Sequence, residues 1–418
     1  MRSSSPALRA RPVAEPRPDA WKPLPNFDQT VGFILKQNET FIFAFFSRKI
    51  HIWRTPLRYM LLRTWATLSL CLRLRAQYAE SESSQSCFAD VASHKGWQQA
   101  YKHLNKGAWL PDMHDQWYQR VIDAEKNCSY RTFFRANHDG KWPTSKGADQ
   151  RLFYAPNGCQ LAPFDAAVLL KSLRQSNMSL FFIGDSLMLH IFMWMQCQIE
   201  VTAPIVCTGK IKRLPHFISV SFPEDTSCQI PDSSSRIMFT RAQTIQSIPL
   251  QALIRKLSLS QRDAIIMSTG VVYSNANQPT SDLQRILQQV RPDWPRLFWR
   301  EPLPQHWPSS FNGAWNEAER CNNATIIRES NPLLTTQIRD NVFKALGSNE
   351  SLVILNTHGP VLTRADEHPA LHFWFKRPVF TKADCTHYLP CSSTNRFVGT
   401  VIFNAIRAHS QQLVKQLA

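Results

Sequence analysis

SLFFIGDSLMLH, residues 179–190, is the stretch on which the fold turns. SLFFIG is a short apolar run closed by glycine, as expected of a strand buried on both faces. Gly184 permits a tight turn, and the apolar run at 187–197 that follows has a helix-like pattern. Ser186 then falls at the mouth of a helix, near backbone N–H groups and the positive end of the helix dipole. Such N–H groups can stabilise an oxyanion. Gly-Asp-Ser is also an ordinary turn and cap, so its strand–turn–helix setting is what makes Ser186 a candidate nucleophile.

Working outward, the chain beyond residue 155 alternates strand-like runs with helical stripes. DAIIMST (263–269), RLFWR (296–300) and SLVILN (351–356) are further buried-strand candidates. Between them lie amphipathic patterns: Ala166, Leu169, Leu170 and Leu173 beside Asp165; Leu283, Ile286, Leu287 and Val290 after a Ser281 cap; Val398, Val401, Ile402 and Ala405 near the C-terminus. Strands alternating with helices predict an α/β domain with a mostly parallel sheet covered on both faces. Ligands of such sheets bind beyond the carboxyl ends of the strands, so each strand exit is worth reading for chemistry.

The exit after 263–269 reads Ser268-Thr269-Gly270, where backbone N–H groups would complete an oxyanion hole or simply form a loop. The exit FWREPLPQHW (298–307) carries Arg300 and His306, which either bind substrate or pair with acidic neighbours. Arg364 and His368 lie in the charge-rich RADEHP segment and are further substrate-binding candidates. After it comes Asp384-Cys385-Thr386-His387, about 200 residues beyond the serine. A serine hydroxyl needs a base, and histidine suits neutral pH. An Asp three residues earlier can fix the tautomer and stabilise the imidazolium. An isolated D-x-x-H is common; its place on the last loop before a terminal helix is the informative part.

Composition sets the context. With 418 residues and 43% hydrophobic side chains, the chain can build a large core. Its net charge is +17, and residues 1–76 hold thirteen basic against four acidic side chains. Neither a zinc-finger spacing nor an RNP-type strand accompanies that charge, so a nucleic-acid partner is not expected. A basic surface suits an acidic polysaccharide or a membrane, and equally suits plain solubility. Residues 1–30 are rich in Pro, Arg, Ser and Ala and read as disordered. The apolar stretches at 41–46 and 64–72 are too short to span a bilayer. From Met60 the chain resembles a signal or signal-anchor, with Arg63 as n-region, although Arg73 and Arg75 spoil a cleavage site. Membrane anchoring would therefore run through this leader, 1–76. Residues 77–127 read as an irregular segment wrapping a catalytic domain at 128–418.

The ten cysteines are dispersed rather than arranged in CxxC clusters, so no metal site is expected. Beyond residue 76, sequons stand at Asn127, Asn177, Asn323 and Asn349. Together these features favour a secretory-pathway protein with disulfides. Nine cysteines follow Cys71, which leaves at least one unpaired; Cys128, Cys159, Cys321, Cys385 and Cys391 are the disulfide candidates.

The blocks YAPNGCQLAPFDA, FFIGDSL, FWREPLPQHWPSSFNGAWN, TRADEHP and ADCTHYLP occur in the order seen in the PC-esterase group, which includes the plant trichome-birefringence-like proteins. The chain resembles that group over roughly residues 128–410. The resemblance implies an SGNH-hydrolase-like three-layer α/β/α fold, a Ser-His-Asp triad, Golgi residence and acetyl transfer to cell-wall polysaccharide hydroxyls. By motif Ser186 would be the nucleophile, with Asp384 and His387 as its partners. Cys159 and Cys385 match disulfide cysteines of the group. An acetyl donor would be a co-substrate, with no bound cofactor, and a polysaccharide or oligosaccharide the acceptor. A carbohydrate acetyl esterase or a non-catalytic polysaccharide-binding protein would share these features. Three departures stand out. Ser268 replaces the usual Asn of an Asn-Thr-Gly block. Met188-Leu189-His190 replaces polar residues after the nucleophile. Cys391 follows Pro390, where the group has a cysteine before the proline.

Overall fold

The computed structural model describes residues 33–37, 40–44, 86–89, 93–111, 115–130, 152–213, 221–269, 273, 275–306, 321, 334–368, 385–389 and 391–417. The chain divides into two compact units, Met1–Ala76 and Gln77–Ala418. In the first, strands β1 (Phe33–Gln37) and β2 (Thr40–Ala44) pair antiparallel across a two-residue connection, Gln37 opposite Thr40. The leader at 1–30 and the signal-like segment from Met60 lie outside the described residues.

The second unit begins with α1 (His94–Leu104), β3 (Ala108–Pro111), α2 (Asp115–Asn127) and β4 (Leu152–Ala155). Then come α3 (Ala166–Ser176), β5 (Leu180–Gly184), α4 (Ser186–Glu200), β6 (Val206–Arg213), β7 (Ser221–Gln229) and β8 (Arg236–Arg241). The remainder is α5 (Leu250–Leu257), β9 (Ala264–Ser268), α6 (Gln278–Leu287), β10 (Arg296–Arg300), α7 (Leu334–Leu346), β11 (Leu352–Leu355), the single turn α8 (His358–Val361) and α9 (Ser393–Leu417).

Seven strands form one sheet in the order β11-β10-β9-β5-β8-β7-β6. The run from β11 to β8 is parallel; β7 and β6 extend it antiparallel. All four strands expected from the sequence lie side by side, and β5 and β9 are buried at every position. Sheet order places β5, the first of these strands in the chain, between β8 and β9. Crossovers from β5 toward β8 and from β9 toward β11 therefore run in opposite directions, and right-handed connections send their helices to opposite faces. The α4 layer, with α2, α3 and α9, and the α6–α7 layer give a three-layer α/β/α fold. The strand order reverses at the carboxyl ends of β5 and β9, where such sheets place their ligands.

Local chemistry accounts for the helix limits. Asp165 caps α3 by accepting from the Val168 amide at 3.0 Å. Helix α6 starts earlier than a Ser281 cap implies: Asn277 is the cap residue, and Pro279 sits in the first turn, where its missing N–H costs nothing. Ser281 lies inside the helix with its hydroxyl on the Asn277 carbonyl. Gly399 lets α9 close on α4, because a Cβ there would sit 2.6 Å from Cε3 of Trp194.

Residues 77–127 are not irregular in the described part: they hold α1, β3 and α2, and they belong to the core. Trp97, Ala100, Tyr101 and Leu104 bury one stripe of α1, while Ser93 caps it through the Gly96 amide. From α2, the fully buried Glu125 accepts from Trp194 Nε1 at 3.0 Å and pairs with Arg396 at 3.1 Å. Removing one partner of such a pair would strand a buried charge. Lys, Gln and His between the apolar positions hide this stripe in the sequence.

Among the described residues, four disulfides join Cys87 to Cys159, Cys128 to Cys197, Cys207 to Cys228 and Cys321 to Cys385. They fit an oxidising, secreted or lumenal environment. Cys391, expected among the bridges, is instead a buried thiol outside these four. Cys207 and Cys228 are register partners on β6 and β7, a proximity that only the sheet reveals. Among the described residues no helix is long and apolar enough to cross a membrane. The Cys128–Cys197 bridge closes a 69-residue separation and ties α2 to α4. Replacing both cysteines with alanine is expected to lower the unfolding free energy by about 4 kcal/mol. Urea denaturation checks this; a loss below about 1 kcal/mol would show that α2 does not depend on the link.

Candidate active site

The site begins with a constraint at the end of β5. A Cβ on Gly184 would collide with the Ser268 carbonyl oxygen of β9 and lie 2.6 Å from Cβ of Met188. Only glycine lets the strand turn this close to its neighbour. Asp185 follows in extended conformation as the cap of α4, its carboxylate accepting from the Leu187 amide at 3.0 Å and the Met188 amide at 3.4 Å. Ser186 is thus the first helical residue. It is partly exposed, whereas residues 187–199 behind it are all buried. With the next two amides engaged by Asp185, the Ser186 amide is the first-turn donor suited to an oxyanion.

Ser186 Oγ lies 2.7 Å from Nε2 of His387, across 201 residues of chain. The short segment carrying His387 has no regular structure, and each residue from 385 to 389 is tied to a neighbouring segment. The Cys385 carbonyl accepts from the His306 amide at 3.0 Å, and Thr386 Oγ1 accepts from Gln305 Nε2 at 3.1 Å. The His387 carbonyl contacts His368 Nδ1 at 2.7 Å. Tyr388 donates its hydroxyl to the Pro304 carbonyl at 2.8 Å, and the Leu389 amide donates to the Glu367 carbonyl at 2.9 Å. The Cys321–Cys385 disulfide adds a covalent tie. The resulting position of His387 is pre-organised to take a proton from Ser186.

The remaining site candidates fall into three groups. Asp384, expected as the triad carboxylate, and Gly270, expected as an oxyanion donor, lie outside the described residues. Arg300, His306, Arg364 and His368 are all buried rather than open to substrate. Arg300 donates to the Glu301 carbonyl at 2.9 Å; burial lowers its pKa to about 10, and Asp185 resists that fall. Arg364 pairs with Asp366 and with Glu367, each at 2.8 Å, and lies over the Trp109 ring. Glu367 in turn caps α9, accepting from the Ser393 and Thr394 amides at 2.8 and 2.9 Å. His306 and His368 touch each other at 2.7 Å. His306 and His368 bond directly to the His387 segment, and Arg364 braces it through Glu367, whereas Arg300 keeps two buried guanidinium nitrogens without a partner among the described residues.

Two residues have no role in the sequence reading: His190, which lies against His387, and Glu301, buried at the end of β10. His190, one turn after Ser186 on α4, is buried with its ring centroid 5.5 Å from that of His387. Its i+4 spacing from the serine was the available signal. Glu301 is fully buried at the end of β10 and accepts from the Tyr101 hydroxyl at 2.5 Å and from the Thr357 and His358 amides at 3.1 and 3.0 Å. Burial raises its pKa to about 7, against the pull of those donors and of Arg339. Burial likewise lowers His306 to about 4 and His358 to about 3. Among the described residues no group of three metal-ligating side chains converges. No protein-family model matches the chain, and no curated protein proves similar to it.

Glu301 supplies a pH-dependent prediction. Its folded pKa stands above its unfolded value of 4.5, so its contribution is fully present below pH 4.5 and is lost as pH rises through about 7. Glu301→Gln keeps one oxygen for the two amides and removes the titration. Relative to that variant, the wild type should lose about 3 kcal/mol of stability between pH 4.5 and pH 7.5. Urea unfolding of both proteins at the two pH values checks this, and a pH-independent difference would refute it.

Proposed function

We propose that the second unit is a serine-dependent O-acetyltransferase acting on polysaccharide hydroxyls, with Ser186 as nucleophile and His387 as its base. The observation that carries the proposal is the 2.7 Å contact between Ser186 Oγ and His387 Nε2 at the start of a buried helix. Its position at the reversal of strand order, where α/β sheets bind ligands, supports it further. The resemblance of five ordered sequence blocks to PC-esterases supports the choice of acetyl and of a glycan acceptor.

In the first step His387 Nε2 accepts the Ser186 proton as the hydroxyl oxygen bonds to the acyl carbon of the donor. The carbonyl oxygen becomes an oxyanion beside the Ser186 amide. Its collapse breaks the bond to the leaving group, which departs with the proton held by His387, and an acyl-serine ester remains. In the second step a sugar hydroxyl gives its proton to His387 and attacks the ester carbonyl. Collapse releases the O-acyl sugar and returns the proton to Ser186 Oγ. Asp384 is assigned to Nδ1 of His387, where it would fix the tautomer and stabilise the imidazolium. Golgi residence, with anchoring through the leader at 1–76, completes the proposal; the disulfides and sequons support a lumenal setting.

Ser186→Ala should lower acyl transfer by about a thousandfold or more and abolish labelling by a fluorophosphonate probe. The test incubates the protein with an acetyl donor, with and without xylan or mannan oligosaccharides, and follows products by mass spectrometry. Acetylated sugar is the expected product. Free acetate alone would replace the transferase with an esterase, and activity unchanged in Ser186→Ala would overturn the nucleophile.

A further inference from the structure

Behind His387 two buried imidazoles form a chain between two backbone carbonyls. His306 Nε2 lies 3.0 Å from the Leu362 carbonyl oxygen, and His306 Nδ1 lies 2.7 Å from His368 Nε2. His368 Nδ1 then lies 2.7 Å from the carbonyl oxygen of His387 itself. A carbonyl oxygen only accepts, so each outer ring nitrogen must carry a proton to make its bond. The inner N···N contact needs one more. Two neutral imidazoles carry two protons in all, whereas the three contacts require three. A neutral pair therefore leaves one contact with no proton between two facing atoms, a costly state in a buried site.

We infer that His306 and His368 are positioning residues for His387, forming a strut from Leu362 to His387 that a third, acid-acquired proton completes. This rests on His387 being the base for Ser186. Opposing forces set where that proton enters. Burial disfavours charge on His306, which has no exposed surface, while both carbonyls and the N···N contact favour it.

Ionisable groups on the packed segments shape the balance. Tyr388 lies against both rings, with centroids 4.3 Å from His368 and 6.3 Å from His306. It is held neutral, its pKa raised well above the ordinary value by burial and by Glu367 and Asp366. Glu367 and Asp366 are paired with Arg364 on the same segment. His358 is kept neutral by burial, and Arg300 and Glu301 sit side by side at the end of β10. The new cation is thus met by the neutral Tyr388 and His358 rings and the paired charges of residues 364–367, while Arg300, which makes no ion pair with Glu301, opposes it. Its effect is to draw the His387 carbonyl, and with it the ring, toward a fixed place.

The test uses the full chain uniformly labelled with nitrogen-15. Long-range nitrogen–proton spectra across pH 7.5 to 4 should show the pair gaining a third ring proton, with one resonance shared between two nitrogens. Two protonated nitrogens throughout would overturn the strut. In parallel, fluorophosphonate labelling of Ser186 is compared between wild type and His306→Gln, whose amide can still donate to Leu362 but does not titrate. Protonation of His387 affects both and cancels in the ratio. The ratio of wild-type to variant rates should rise about tenfold from pH 7.5 to pH 5; a flat ratio would also overturn the proposal. Failure of the wild type to label at all would sink the acyl-serine reading instead, and the spectra alone would then decide the strut.

Discussion

A serine hydroxyl gains nucleophilic force only while an imidazole stays within hydrogen-bond reach, and here that imidazole comes from 201 residues further along the chain. The two partners are supported in opposite ways. Ser186 is fixed by regular structure, since a fully buried strand, a glycine turn and a capped, buried helix leave it one position. His387 has no strand or helix beneath it. Its place is secured by polar bonds to residues 304–306 and 367–368, and those residues need their own anchorage. The reversal of strand order at β5 and β9 makes the meeting possible, because it opens a site at the carboxyl edge that the late loop can reach.

This division of labour explains why the domain buries so many polar groups. Arg300, Glu301, His306, His358, Arg364, Glu367 and His368 are each at most 3% exposed. Burying ionisable groups is costly unless they are bonded, and replacing some by apolar residues would often stabilise. Their arrangement has a geometric return, however. A loop held by apolar packing alone could slide by a fraction of an ångström, whereas directed bonds to consecutive residues fix the backbone carrying His387. Glu367 shows the economy of the design: through one carboxylate it caps α9 and pairs with Arg364, while its backbone carbonyl receives the Leu389 amide. The long terminal helix and the segment carrying His387 are therefore positioned by the same residue.

The sequence made the parallel core legible because strands buried on both faces must be continuously apolar. LFFIG, AIIMS, RLFWR and LVIL accordingly stand out. The antiparallel strands β6 and β7 were missed, since SFPEDTSCQ carries neither an apolar run nor clean alternation. Helix α1 was missed for a related reason: its stripe of Trp97, Ala100, Tyr101 and Leu104 is interleaved with Gln, Lys and His. At the site, the meeting of Ser186 and His387 was legible from motif and order. The burial of Arg300, His306, Arg364 and His368 was not. A charged or imidazole side chain at a strand exit reads the same whether it faces substrate or braces a loop. Only the three-dimensional count of partners separates the two.

Under the proposed acetyl transfer, that outcome changes where acceptor specificity would reside. Transfer outruns hydrolysis only if a sugar hydroxyl reaches the acyl-serine more effectively than water, which requires contacts made by the acceptor and denied to water. Of the residues first expected to supply such contacts, His306, Arg364 and His368 are engaged within the protein, so in the proposed reaction they would act through the position of His387. Acceptor choice then belongs to other side chains, around the partly exposed Ser186. On that proposal, changes at His306, Arg364 or His368 would alter turnover for every acceptor alike. Changes that discriminate one glycan from another must come from residues outside that bracing set. The chemistry and the selectivity of the site are in this sense carried by separate groups of residues, joined only at the serine.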